Sequence, residues 1–194
     1  MLVEDGELTR VGVLALQGDV REHMSILESL GADAVSVKRP DQLGEIDALI
    51  IPGGESTTIG KMAVRFGMLE PLRESIGHGL PTYGTCAGMI LLASALSDGD
   101  QPLIGALDVV VKRNAFGRQN DSFEADLDIS GLDDPFHAVF IRAPWIEKVG
   151  AEVDVMATIN DHPVMVRQDR IMATSFHPEL TGDGRIHQVL LDLI

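Results

Sequence analysis

In the first half of the chain, short apolar runs alternate with segments in which apolar residues recur every three or four positions. The runs are typical of buried parallel strands, and the recurring spacing is typical of helices packed against a sheet. The runs predict strands at residues 11–16, 34–37, 48–52 and 80–83. The spacing predicts helices at 20–30, 57–66, 69–76 and 90–96, with Asp19 capping the first, and a short turn or helix at 40–43.

Beyond residue 103 the pattern changes to short alternating or β-branched segments. These predict strands at 109–111, 123–127, 138–141, 153–158, 164–166 and 171–176, a turn at 161–163 and a last helix at 185–194. The expected fold class is α/β: a three-layer, mostly parallel sheet flanked by helices, with an antiparallel, strand-rich C-terminal half. A chain of 194 residues that is 45% hydrophobic suits a single domain over residues 1–194.

Charge and cysteine content narrow the function classes. The formal net charge is −15 with only 15 Lys and Arg, which argues against nucleic acid as a partner.

No apolar run is long enough to span a bilayer, and the first residues are acidic where a secretory signal is basic, so we expect a cytoplasmic protein without membrane contact. The single cysteine excludes an internal disulfide. No paired Cys or His spacing suggests a metal site.

The single cysteine, Cys86, stands where an apolar strand is expected to become an apolar helix. Gly84-Thr85-Cys86-Ala87-Gly88 has the form G-x-nucleophile-x-G, in which small residues allow a sharp turn that exposes one reactive side chain. A thiol at a helix N-terminus is favoured as the thiolate, the form that attacks carbonyl carbon. The alternative is a buried structural cysteine that behaves as a small hydrophobe.

A base for this thiol is available at the end of another predicted strand. His177 follows the segment 171–176, and in an open α/β sheet the carboxyl ends of strands gather at one edge. His177 can act as general acid and base, and Glu179, two residues along an extended segment, would orient its ring. The glycine pair at 53–54, also after a strand, is either an anion-binding loop or a plain turn.

Several motifs together carry a resemblance to a known family. The segments 84–88 and 175–179 resemble those of the class I, triad-type glutamine amidotransferases, which hydrolyse glutamine and hand the ammonia to a synthase. Within that group, the chain resembles the glutaminase subunits of pyridoxal 5′-phosphate synthases from residue 11 to its end. The segments that carry this second resemblance are 16–23, 52–58, 113–119, 121–126 and 140–144.

The resemblance implies a flavodoxin-like fold and a role for each matching residue. Cys86 would be the nucleophile, His177 the acid and base, and Glu179 its orienting partner. The residues that would contact L-glutamine are Gly54, Glu55, Ser56, Arg113, Ile141 and Arg142. Backbone N–H groups of Gly54 and Ala87 would form the oxyanion hole.

The resemblance also implies a partner. Ammonia would pass to a (β/α)₈ barrel synthase in a hetero-oligomeric complex for vitamin B6 biosynthesis, and the chain would be largely silent until that partner docks. Pyridoxal 5′-phosphate would be the product of the complex, and the chain itself would need no cofactor or metal. Other interpretations stay open: a glutaminase serving another synthase, a cysteine peptidase or stress-type thiol protein, and a non-catalytic binding module.

Overall fold

The computed structural model describes residues 8–116 and 122–194; the acidic first residues and the end of the 113–119 motif lie outside them. The strands are β1 Arg10–Leu14, β2 Asp33–Val37, β3 Ala48–Ile51, β4 Thr82–Thr85, β5 Ala93–Leu96, β6 Leu107–Lys112, β7 Ser122–Leu127, β8 Phe136–Ile141, β9 Trp145–Val149, β10 Asp154–Ile159, β11 His162–Gln168 and β12 Ile171–Thr174. The helices are α1 Val20–Ser29, α2 Ser56–Arg65, α3 Leu69–Gly77, α4 Ala87–Leu92 and α5 Arg185–Leu191. Within the described residues, 3₁₀ segments span Pro40–Glu45 and Pro178–Leu180.

A seven-stranded mixed sheet in the order β10-β11-β12-β4-β3-β1-β2 forms the centre of the molecule. Strands β2, β1, β3, β4 and β12 are parallel, and β11 and β10 extend the sheet antiparallel to them. The parallel part has the 2-1-3-4-5 order of flavodoxin-like sheets. Strand β12 pairs directly with β4, so the segments that follow them, at Cys86 and His177, leave the same edge of the sheet.

Side chains alternate between two hydrophobic cores, one on each face of this sheet. Leu49 and Ile51 pack with helices α2, α3 and α4 on one face, whereas Ala48 and Ile50 pack with α1 and α5 on the other. This alternation is what a strand covered on both faces requires. The predicted α/β class and its three layers are confirmed.

Two smaller sheets account for most of the differences from the predicted elements. The helix predicted to reach residue 96 ends at Leu92, because residues 93–96 instead pair in parallel with β6 as strand β5. Strand β9 was not predicted, since its last three residues are exposed and show no apolar alternation. One of the two smaller sheets has the strand order β5-β6-β9, and the other is the antiparallel pair of β7 and β8.

The turn predicted at 161–163 lies slightly earlier. Asn160 and Asp161 both have positive φ, at 49° and 64°, and they connect β10 to β11. These angles suit a two-residue hairpin turn, in which Asn and Asp are tolerated at positive φ. His162 therefore belongs to β11, where its ring stacks on Trp145 with centroids 3.6 Å apart. None of the helices in the described part of the chain is long and apolar enough to cross a bilayer.

Candidate active site

Cys86 lies at a strained turn between β4 and α4. Its φ is +48°, a conformation that is uncommon for a residue other than glycine and is typical of functional sites. The flanking glycines allow this turn. A Cβ on Gly84 would lie 2.6 Å from the carbonyl carbon of Gly88, and a Cβ on Gly88 would collide with the carbonyl oxygen of Ile51 in β3. The two glycines of the G-x-C-x-G pattern are therefore required by the close packing of α4 on the sheet.

His177 and Glu179 lie beside this turn. The N–H of Cys86 donates to the carbonyl of Thr174 at the end of β12, and the N–H of His177 donates to the carbonyl of Val139 in β8, at 2.7 and 2.8 Å. The Nδ1 atom of His177 is 2.7 Å from Oε1 of Glu179. Glu179 belongs to the 3₁₀ segment rather than to an extended one as predicted, because Pro178 begins a helical turn that brings the carboxylate back to the ring.

Asp19 is a second carboxylate at the same ring. Its side chain makes no capping hydrogen bond to α1, which contradicts the predicted cap, because Oδ2 lies 3.5 Å from Nδ1 of His177. Burial lowers the pKa of His177, but hydrogen bonds to Asp19, Cys86 and Glu179 outweigh it and raise that pKa to about 12. With Nδ1 held by the carboxylates, Nε2 is the nitrogen left for the thiol.

The pocket at this edge has a volume of about 380 Å³, within the range of small-molecule sites. It brings together most of the predicted site residues: Gly54, Glu55, Ser56, Cys86, Arg113, Ile141, Arg142 and His177. Ala87 and Glu179 are buried just behind this lining. Four further residues contribute to it: Gln17, Asp19, Ile90 and Asn114. The pocket thus combines a thiol, two guanidinium groups and two carboxylates.

The glycine loop is held from both sides. Gly54 has φ +152°, and a Cβ there would lie 2.6 Å from Oε1 of Gln17, the atom that accepts the N–H of Glu55 at 2.8 Å. The carboxylate of Glu55 caps helix α2 by accepting the N–H groups of Thr58 at 2.7 Å and Thr57 at 3.3 Å. Burial raises the pKa of Glu55, but these hydrogen bonds outweigh it and lower that pKa. Glu55 is therefore fixed at both its carboxylate and its N–H, and it holds the glycine loop against the start of α2.

Gln101 organises the predicted substrate residues Ser56 and Arg113. Its Oε1 accepts hydrogen bonds from Oγ of Ser56 at 3.0 Å and from Nη1 of Arg113 at 3.2 Å. Thr57 donates to the same oxygen at 3.2 Å, and Arg113 also donates to the carbonyl of Asp98 at 2.9 Å. A single glutamine in a predicted loop carries no sequence signal for this role. Gln101 reaches these side chains only because the folded loop packs against α2.

Ile141 and Arg142 close the pocket opposite the glycine loop. The thiol of Cys86 is 4.0 Å from the carbonyl oxygen of Ile141, the last residue of β8. Arg142 has φ +43° and is exposed, and within residues 8–116 and 122–194 its side chain has no hydrogen bond or ion pair. The loops after β6 and β8 are joined where the N–H of Ala115 donates to the carbonyl of Ala143. Arg142 is thus a cation available to a ligand.

One group of side chains has the spacing of metal ligands. Potential ligand atoms of Asp19, His177 and Glu179 lie within 4.8 Å of one another. A metal-bound histidine must be neutral, however, so a metal ion would have to displace the proton that the neighbouring carboxylates favour on the ring of His177 by raising its pKa. The short distance to Glu179 is that of a charge-assisted hydrogen bond. The donor set therefore suits a proton-transfer group better than a metal.

Proteins of known structure share the fold that carries this site. A crystal structure described as a glutamine amidotransferase superimposes with a TM-score of 0.91 at 51% identity, covering 94% of this chain and 97% of the other. A glutamine amidotransferase from Thermotoga maritima shares the fold alone, with a TM-score of 0.64 at 12% identity over 96% of this chain and 85% of the other.

Relatives of known name are closer in sequence. Proteins from Frankia alni and Mycobacteroides abscessus, both named pyridoxal 5′-phosphate synthase subunit PdxT, are 59% and 58% identical, each over 95% of this chain and over 94% and 96% of their own lengths. The model of the SNO glutamine amidotransferase family matches residues 13–194. The chain therefore belongs to the SNO glutamine amidotransferase family.

Proposed function

We propose that this protein is the glutaminase subunit of a pyridoxal 5′-phosphate synthase and hydrolyses L-glutamine to L-glutamate and ammonia. The observation that carries the proposal is that Cys86 and His177 line one pocket, with Glu179 behind it and 2.7 Å between Nδ1 of His177 and Oε1 of Glu179. A nucleophile, a base and a group that orients the base are the parts that acyl transfer requires. The description of the family supplies the substrate class, and the names of the relatives supply the pathway.

The reaction begins when the thiolate of Cys86 attacks the γ-amide carbon of glutamine. Backbone N–H groups of Gly54 and Ala87 stabilise the oxyanion that forms. His177 then donates a proton to the leaving nitrogen, the C–N bond breaks, and ammonia leaves a γ-glutamyl thioester on Cys86. In the second half, His177 takes a proton from water, whose oxygen attacks the thioester carbon; the C–S bond breaks, releasing glutamate and restoring the thiolate of Cys86. Glu179 keeps the ring of His177 oriented throughout.

The charges of the pocket fit a free amino acid. Arg113 and Arg142 are cations that can bind the α-carboxylate, and the loop at Gly54, Glu55 and Ser56 offers hydrogen-bonding groups to the rest of the substrate. Ile141 contributes its carbonyl oxygen near the thiol. A peptidase would instead need an open groove for the chain on both sides of the cleaved bond.

The ammonia is proposed to pass to a (β/α)₈ barrel synthase that binds this chain in a hetero-oligomeric complex. Support for a partner comes from the relatives, which are named as subunits of a pyridoxal 5′-phosphate synthase, and the barrel fold of that partner is what the family resemblance implies. We further propose that residues 1–194 act as one domain in the cytoplasm, where the single thiol stays reduced.

The decisive experiment measures ammonia release from glutamine by the wild-type chain and Cys86→Ala, each with and without the synthase subunit of the same organism. We expect turnover by the wild type with its partner, little without it, and loss of about a thousandfold or more in Cys86→Ala. His137→Asn, an exposed change in β8, is the control and should behave as wild type. Turnover by Cys86→Ala would refute the assignment of the nucleophile.

Trapping the thiol separates the proposal from its rivals. A glutamine analogue with an electrophilic carbon at the γ-carbonyl position should label Cys86 once and stoichiometrically, detected by mass spectrometry of the intact chain. A cysteine peptidase or an inert structural thiol should not react with it. Full labelling by a peptide-based electrophile instead would point to the peptidase.

A further inference from the structure

A cluster of buried polar side chains lies behind Glu179, on the side away from the pocket. His23 of α1 and His187 of α5 are both fully buried, and Nδ1 of His23 is 2.9 Å from Nε2 of His187. The other nitrogen of His23, Nε2, is 3.2 Å from Oγ1 of Thr85, the residue before Cys86. Burying a polar ring costs free energy unless its nitrogens are hydrogen-bonded, and these contacts satisfy three of the four ring nitrogens.

The second oxygen of Glu179 faces this cluster. Oε1 is engaged with His177, whereas Oε2 is buried and has no hydrogen-bond partner within the described residues. Nε2 of His23 lies 3.6 Å from Oε2, with both side chains completely buried. A buried carboxylate oxygen gains most from an N–H group directed at it, and hydrogen bonds of catalytic groups commonly tighten when substrate binds.

The protonation of the two rings follows from their contacts. Burial lowers the pKa of His23 well below its ordinary value and lowers that of His187 to about 4, so both rings are neutral. If Nε2 of His23 lacked its proton, a lone pair would face the carboxylate. The proton therefore belongs on Nε2, and Nδ1 accepts from Nε2–H of His187. Nδ1 of His187, which has no partner within the described residues, is then an unpaired acceptor, which costs less than an unpaired donor.

We propose that His23, oriented by His187, is a positioning residue of the triad that directs its Nε2–H at the second carboxylate oxygen of Glu179. The inference rests on the proposed function, because Glu179 matters here as the partner of the catalytic base. His23 holds the carboxylate in place and favours its ionised form while the ring of His177 carries charge. Thr85 shares the same N–H and joins this support to the turn that carries the nucleophile.

Other groups also face Glu179 and bear on its ionisation. His177 and Asp19 approach from the pocket side, Cys86 acts through His177, and Tyr83 of β4 packs edge-on against His23, with ring centroids 6.4 Å apart. Burial raises the pKa of Glu179, and its hydrogen bond with His177 opposes this. His23 is the group placed to add to that opposition from the buried side.

Two substitutions separate the two nitrogens of His23. In His23→Gln the amide nitrogen reaches the position of Nε2, so the contact to Glu179 is kept and the contact to His187 is lost. In His23→Asn the amide reaches only the position of Nδ1, so the contact to His187 is kept and the contact to Glu179 is lost. His23→Gln thus loses the buried contact to His187, and His23→Asn loses those of Nε2 to Glu179 and Thr85, so the melting temperature of each variant is measured beside its kinetics.

The first measurement is glutamine turnover by each full-length variant with the synthase subunit. The 3.6 Å contact to Oε2 is expected to tighten to a hydrogen bond with a charged group when substrate binds, so we expect kcat of His23→Asn to fall about tenfold, with KM changed less than about twofold. His23→Gln should retain most of the wild-type kcat. Equal kcat values in the two variants, whether both high or both low, would overturn the role of Nε2.

The second measurement needs neither glutamine nor the partner. The rate at which iodoacetamide alkylates Cys86 is followed against pH in the isolated chain. A less firmly ionised Glu179 holds the imidazolium of His177 less well, so the midpoint for His23→Asn should move to higher pH while that of His23→Gln stays near wild type. An unmoved midpoint in His23→Asn would overturn the proposal.

The two measurements also separate this inference from the proposed function. If the wild-type chain released no ammonia with its partner, the glutaminase proposal would fail, and the alkylation profiles would still decide the role of His23. If His23→Asn did not fold, the pair His187→Gln and His187→Phe carries the same test, because glutamine keeps a donor to Nδ1 of His23 and phenylalanine does not. Equal alkylation midpoints in that pair would overturn the proposal.

Discussion

The substitution Gly84→Ala tests whether close packing of α4 on β4 positions the nucleophile. The new Cβ would lie 2.6 Å from the carbonyl carbon of Gly88 and 2.7 Å from its oxygen, against about 3.4 Å for an ordinary contact, so α4 must move by about 0.8 Å. The obstacle is backbone, so a side-chain rotation cannot remove it. Gly84 does not have positive φ, so the effect is steric and not conformational.

Overpacking of this kind costs about 3 kcal/mol, which lowers the melting temperature by about 6–12 °C for a chain of this length. Because Cys86 immediately precedes α4, a shift near 1 Å should also lower kcat about a hundredfold. The control is Gly77→Ala at the end of α3, where a Cβ comes within 4 Å of none of the described residues and stability should be unchanged or slightly higher. Melting temperature by circular dichroism and ammonia release with the synthase subunit measure both effects. If Gly84→Ala matched Gly77→Ala in both assays, the packing account of the motif would be wrong.

Two further predictions concern Gln101 and His187. Gln101→Ala removes the acceptor shared by Ser56 and Arg113, so KM for glutamine should rise about tenfold and kcat should change less. The control is Gln188→Ala, a change at an exposed helix residue. An unchanged KM in Gln101→Ala would contradict the role of Gln101 in holding the substrate residues. Burial lowers the pKa of His187 from 6.5 to about 4, so between these pH values the unfolded chain binds a proton that the native chain does not. The stability this ring contributes is complete above pH 6.5 and falls by about 3 kcal/mol on acidification to pH 4, and urea unfolding of His187→Phe should lack this part of the loss.

The parallel part of the fold was predictable because each of its strands and helices has its own local sequence pattern. Each buried strand is an apolar run, each covering helix shows its own periodicity, and the elements at 10–14, 20–29 and 48–51 were predicted to within a few residues. Strand β5 was not predicted because residues 93–96 continue the apolar spacing of α4. Their conformation depends on pairing with β6, some 14 positions later, which no local pattern records.

Some residues of the candidate site were likewise predictable from local patterns, and others were not. Cys86, His177 and Glu179 are predictable because their chemistry needs particular residue types beside glycines and strand ends. Asp19 was predicted to cap a helix, which its position at the N-terminus of α1 suggests, yet its carboxylate faces His177. Gln101 carries no signal, since one polar residue in a loop is ordinary until Arg113 is seen to bind it.

The short segment around Cys86 connects these observations physically. Backbone atoms lie too close to Gly84 and Gly88 to leave room for side chains there. The same close packing accompanies the turn that directs the thiol of Cys86 into the pocket. Thr85 lies within the core and contacts His23. One turn of chain therefore carries the nucleophile on its pocket side and, on its buried side, a hydroxyl that contacts the ring facing Glu179. A change at Thr85, which touches no substrate, should thus alter the orientation of the base through His23, and Thr85→Val should lower kcat without raising KM.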